Sequence, residues 1–271
     1  MALLDAVSDW RAQVRRDAPP DPRYGAAFQG WFSGAVPDAP FEVTLAGPSL
    51  RRCVAWVISA GARVGRFVTR IDDGSGKIAV QVNPAFQAVL AQWQGAAPIV
   101  SMIQGNEHAR FMLDAWPAYD FLDASVEKVR ADVPLIDTAF IDERIDAWVD
   151  AVFLSLSVLR HLAANPLAHV LPPPPRENPG GASHFEALSE ETARYGFAPD
   201  ALRLKWYRRY GRRLAERLAR IGCTVLEAPA EACTTEGLLS ERFAEGLTHG
   251  NAAYGALVAR QIDAWIHRLR A

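Results

Sequence analysis

Cysteine is scarce: Cys53, Cys223 and Cys233 are the only three in 271 residues, odd in number and in no close spacing. That pattern excludes a disulfide framework or a zinc–thiolate cluster and leaves reduced thiols packed as small apolar groups. An excess of either charge is also missing. A net charge of -2 and an isoelectric point near 6.3 give no global basic field, so nucleic acid is not an expected partner. No apolar run approaches the roughly 20 residues of a membrane-spanning helix, so no membrane partner is expected. The first residues, MALLDAVSDWRAQVRRDAP, place Asp5 and Asp9 where a signal peptide needs an apolar run, and the expected location is cytoplasmic. Internal repeats are lacking too.

What is present is apolar bulk. Half of the residues are hydrophobic (50%), enough for one large α/β domain with a buried core. Residues 1–40 read as a short amphipathic helix and a Pro- and Gly-rich extension carrying Tyr24, Phe28, Trp31 and Phe32. Those aromatic residues suit packing along the domain or a homodimer contact. Residues 41–271 form the domain, in which strand-like and helix-like runs alternate. The strand expectations are FEVTL from Phe41, Arg66–Ile71 with KIAVQV after a turn at Asp72–Gly76, Ile99–Ile103, Leu167–Leu171 and Cys223–Leu226. The helix expectations are LRRCVAWVISAGA after Ser49, a run opened by Asn83 and Pro84, Ile141–Ala164, Ala201–Ile221 and Asn251–Leu269. Alternation of this kind argues for a parallel sheet covered on both faces, with its loops converging at the strands' carboxyl ends.

Three stretches place chemistry at that edge. In FEVTLAGPSL, Gly47 and Pro48 end a strand and leave Ser49 at the mouth of a helix; taken alone, Ser49 reads first as a helix cap. After Ile99–Ile103, the polar run Gln104, Gly105, Asn106, Glu107 and His108 is costly to bury without partners and suits a crevice wall, although Asn106 by itself is an ordinary turn residue. One Glu107–His108 pair is far short of a metal ligand set. In EGLTHGNAAYG, His249 precedes the last helix and is placed to swing back over the same edge. A serine, an amide and a histidine supply a nucleophile, an oxyanion donor and a general base. Two further stretches carry weaker signals. PPPPRENPGGASHFEAL, stiff and then flexible, suggests a lid bearing Arg176, Glu177 and His184. The helix from Ala201, rich in arginine, reads as a steering surface for an acidic substrate or carrier, or more commonly as a solvated face whose long stems cover apolar surface.

GPSL at Gly47–Leu50, GNEH at Gly105–His108 and THGNAAYG at Thr248–Gly255 resemble the first, third and fifth sequence blocks of the SGNH (GDSL-type) serine hydrolases. The resemblance covers roughly residues 41–265, in the family's block order. It implies a three-layer α/β/α, flavodoxin-like fold with a mainly parallel five-stranded sheet. It also implies ester hydrolysis through Ser49, with Asn106 and the Ser49 N–H as oxyanion donors and His249 as base. Gly105, Glu107, His108, Asn83 and Asn251 then become expected substrate-binding groups. Two departures stand out. Pro48 occupies the place of the family's usual Asp, and Gly246 stands three residues before His249 where the family carries its triad Asp. The adjacent carboxylate, Glu245, is the candidate catalytic acid, and without it the site is a dyad with the histidine held by a backbone carbonyl, or is impaired. The expected partner is a small-molecule acyl ester or acyl donor, with no metal, nucleotide or redox cofactor. An acyltransferase built on the same Ser/His site, and a degenerate member that binds without turnover, are the alternatives.

Overall fold

The computed structural model describes residues 41–43, 53–56, 68–71, 79–82, 98–101, 118–177, 179, 196–245 and 249–269. Within it, short apolar runs become strands: β1 (Phe41–Val43), β2 (Cys53–Trp56), β3 (Val68–Ile71), β4 (Ala79–Val82), β5 (Ile99–Ser101), β6 (Leu167–Val170) and β7 (Cys223–Leu226). Their centre is a parallel set, β5 beside β6 and β6 beside β7, with Ser101 abreast of His169 and Val170 abreast of Leu226. β2 adds in parallel to β5, and β1 pairs antiparallel with β2 through Val43 and Cys53, giving the order β1-β2-β5-β6-β7. β3 and β4 form a separate antiparallel pair.

Among the described residues, three long helices cover this sheet: α1 (Thr138–Leu162), α2 (Asp200–Ala219) and α3 (Ala252–Arg268). Asp137 caps α1 by accepting the Ala139 N–H at 2.8 Å, which starts the helix ahead of the expected Ile141. Its apolar stripe, Ile141, Ile145, Val149, Val152, Leu156 and Leu159, packs with Leu202, Trp206, Tyr210, Leu214 and Leu218 of α2 over Ile99, Leu167 and Cys223. The opposite sheet face, Val100, Ala168, Val170 and Leu226, packs under Tyr254, Val258, Ile262 and Ile266 of α3. Period-2 strands thus send alternate side chains to two helical layers, the physical content of an α/β fold. Gly222, at φ 65°, ends the turn after α2 in a left-handed conformation and turns the chain into β7.

Two expectations are corrected here. The helix expected after Ser49 does not run through Cys53–Trp56, which are β2. Short apolar runs carry no periodicity that separates a buried strand from a helix, and pairing with Ile99–Ser101 decides the matter. The proline run is not an exposed lid, because Pro172–Pro175 are buried. Tyr207 donates its hydroxyl to the Pro172 carbonyl at 2.9 Å, the Leu239 N–H donates to Pro175 at 2.8 Å, and Arg176 forms a parallel bridge with Leu239. Prolines lack N–H groups, so a buried Pro run leaves only carbonyls to satisfy, and Tyr207 and Leu239 satisfy two of them.

Candidate active site

His249 lies in a two-residue strand, β9 (His249–Gly250), paired antiparallel with β8 (Ala244–Glu245). The register sets Glu245 directly opposite His249 and Ala244 opposite Gly250. Glu245 is exposed. The approach to β8 is anchored beyond the carboxyl end of β6: Leu239 bridges Arg176 and Glu241 pairs with Arg176, while Phe243 and Ala244 pack in the core cluster that also holds Val170 and Leu226. Sequence order and packing therefore bring the Glu245/His249 hairpin to the sheet edge at which β5 also ends. Ser49, Asn83, Gly105, Asn106, Glu107 and His108 lie outside the described residues, as do residues 1–40, the turn at Asp72–Gly76 and His184.

Asn251 has a different place from the substrate wall expected for it. Its Oδ1 accepts the Ala253 and Tyr254 N–H groups at 3.0 and 3.2 Å, capping α3, and its Nδ2 donates to the Arg242 carbonyl at 2.8 Å. Arg176 is likewise no solvated lid residue. It is buried, pairs with Glu241 at 3.2 Å, and its carbonyl receives an N–H of Arg203 at 2.7 Å. Glu177 accepts the Glu241 N–H at 2.7 Å.

A serine–histidine pair lies in the core. His169 Nδ1 and Ser101 Oγ are 3.3 Å apart on adjacent strands, both side chains without solvent exposure, and His169 Nε2 has no hydrogen-bond partner. Burial pushes the imidazole down to about 3, so it stays neutral. With no solvent exposure, this pair is a packed core element. Cys223 is similar: burial raises its thiol to about 12, which keeps it an inert apolar group.

The arginine-rich face of α2 is neither a free steering surface nor simply solvated. Arg209 reaches Asp142 at 2.5 Å, Arg213 reaches Asp146 at 2.6 Å and Arg217 reaches Asp150 at 3.2 Å, all on α1. Arg209 and Arg212 converge on the buried Asp123 at 3.2 and 2.5 Å. Lys205, fully buried, donates to Asp120 at 2.8 Å and to the Phe121 carbonyl at 2.9 Å. Burial works against ionisation of Asp120, but Lys205 and the N–H groups of Arg130 and Phe121 outweigh it and hold the carboxyl below its usual range. Sequence reasoning passed over Asp120 and Asp123. Their only signal is two carboxylates in the apolar passage DFLD, where a buried charge requires a partner.

Among the described residues, no group of three or more His, Cys, Asp or Glu is placed to hold a metal ion, and no helix is long and apolar enough to cross a membrane. No protein-family model, curated protein or solved structure matches this chain.

Proposed function

We propose that this chain is an SGNH-type serine hydrolase that cleaves a small acyl or carbohydrate ester through an acyl-enzyme. The observation that carries the proposal is the β8–β9 register, which sets a carboxylate residue, Glu245, opposite His249. Directly opposed residues of an antiparallel pair hold their Cβ atoms about 4.5–5.5 Å apart, within reach of a glutamate side chain. This supports Glu245 in the orienting role that Gly246 cannot fill. The motifs at Gly47–Leu50, Gly105–His108 and Thr248–Gly255 supply the rest of the constellation.

In this reading the Ser49 hydroxyl attacks the ester carbonyl carbon as its proton passes to His249. The oxyanion is held by the Ser49 N–H and the Asn106 amide. The carbonyl–oxygen bond then breaks, and the departing alkoxide takes the proton from His249 and leaves as the alcohol. Water, deprotonated by the same imidazole, attacks the acyl-enzyme and frees the acid and Ser49. The finer, flavodoxin-like form of the fold belongs to the proposal too: β2, β5, β6 and β7 step in one direction across the sheet, as one side of such a winding does. Transfer to an alcohol or amine instead of water needs a crevice that excludes water, for which a proline-rich lid and the arginine-rich helix are the sequence features. With Pro172–Pro175 packed in the interior, hydrolysis is the reading carried forward.

The test is labelling of the intact protein by a fluorophosphonate, read by mass. Single-site modification at Ser49 is expected, abolished in Ser49→Ala and in His249→Ala. Asn106→Ala should lower kcat for an activated ester about 100- to 1,000-fold, the usual cost of one oxyanion donor. Folded wild type that takes up no label would overturn the hydrolase reading.

A further inference from the structure

The segment around His249 is fastened more tightly than a two-residue ladder alone requires. Asn251 donates its backbone N–H to the Phe243 carbonyl at 2.8 Å and its Nδ2 to the Arg242 carbonyl at 2.8 Å, while Oδ1 takes both N–H groups at the start of α3. One side chain thus joins the 3-10 turn entering β8, Glu241–Phe243, to the helix leaving β9. Gly250 completes the fastening. A Cβ at that position would sit 2.6 Å from Cγ of Tyr254, whose ring is fully buried, so the hairpin lies directly on the first turn of α3. Capping needs only Oδ1. The Nδ2 bond to Arg242 adds nothing to the helix; it closes the base of the hairpin.

We propose that Asn251 is a positioning residue for His249, its carboxamide locking the hairpin that carries the histidine to the amino terminus of α3. This rests on the serine-hydrolase reading for its catalytic consequence, but the locking itself is measurable without it. Serine caps helices about as well as asparagine, so Asn251→Ser keeps the cap and removes only the bond to Arg242. Gly250→Ala is the second variant: it leaves Asn251 intact and forces the hairpin away from Tyr254.

Two quantities are to be measured on wild type and both variants, with thermal midpoints alongside. One is the rate of fluorophosphonate labelling at Ser49. The other is the NMR titration of the His249 imidazole, assigned with His249→Ala. The expected result for Asn251→Ser is a thermal midpoint near that of wild type, a shifted His249 titration, and labelling slowed about 10-fold or more, within the roughly 100-fold that a 1 Å misplacement costs. Gly250→Ala should move both quantities in the same direction. An unshifted titration in both variants overturns the inference even where labelling slows, because slowing alone marks a general loosening. Shifted titrations in the two variants, with a wild type that never labels, would uphold the positioning role and sink the hydrolase reading instead.

Discussion

His169 presents one ring nitrogen to Ser101 and the other to nothing, inside a sheet with no solvent exposure. The neutral imidazole suits that place, and the charged form does not. In the unfolded chain the group titrates near 6.5 and in the folded chain near 3. Between those values the unfolded state binds a proton that the native state refuses, so this group's effect on stability is complete above about 6.5 and is eroded as the pH falls. The loss is up to about 1.4 kcal/mol per pH unit. Urea midpoints of the wild type should therefore drop between neutrality and pH 5, before the carboxylates titrate, and His169→Gln should flatten that part of the curve. Parallel curves for the two proteins would assign the acid sensitivity elsewhere. The Lys205–Asp120 pair makes a sharper demand. Lys205→Met strands a buried carboxylate and should cost about 3–5 kcal/mol in urea unfolding, whereas the double variant with Asp120→Asn should recover a large part.

At the level of elements, α1 and α2 are joined by two kinds of seam. The apolar one is legible in the sequence: Ile141 to Leu159 and Leu202 to Leu218 repeat at helical spacing, and both helices stand where that spacing places them. The ionic one is legible only in hindsight. Asp142, Asp146 and Asp150 step by four along α1, as Arg209, Arg213 and Arg217 do along α2. Either row alone reads as a solvated face; only the matching period of the two hints that they meet. Arg213 and Asp146 retain 29% and 28% of their side-chain exposure, so each bond is worth little singly. A double-mutant cycle on Arg213→Ala and Asp146→Ala should give a coupling of about 0.2–1 kcal/mol, shrinking in 1 M salt as screening shortens its reach. A coupling that ignores salt would point to packing of the stems instead. The proline strap was misleading for a related reason. Its stiffness is written in the residues, but whether a stiff segment lies outside or inside depends on partners far along the chain, here Tyr207 and Leu239.

For the whole molecule, the alternation of strand and helix is enough to specify a parallel α/β sheet with helices on both faces. It is not enough to place the first segments, where four apolar residues, Cys53–Trp56, suit a strand and a helix equally until a neighbour is known. Of the candidate site, the described part is the β8–β9 hairpin: Asn251 is spent on architecture where a substrate contact was expected, and Glu245, the carboxylate expected beside His249, faces it in the ladder. No local pattern could reveal this, since two-residue strands leave no periodicity to read. The order of the sheet has one more consequence. β5, β6 and β7 lie side by side in the order in which they are synthesised, so the sheet can lengthen by one strand each time a helix clears the ribosome. The hairpin bearing His249 rests on α3, the last of these helices to emerge, and the segment leading into it is tied to Arg176 beyond β6. A nascent chain can therefore pack the α1–α2 face of its sheet before it can build its base, and the proposed chemistry stays switched off until α3 has emerged.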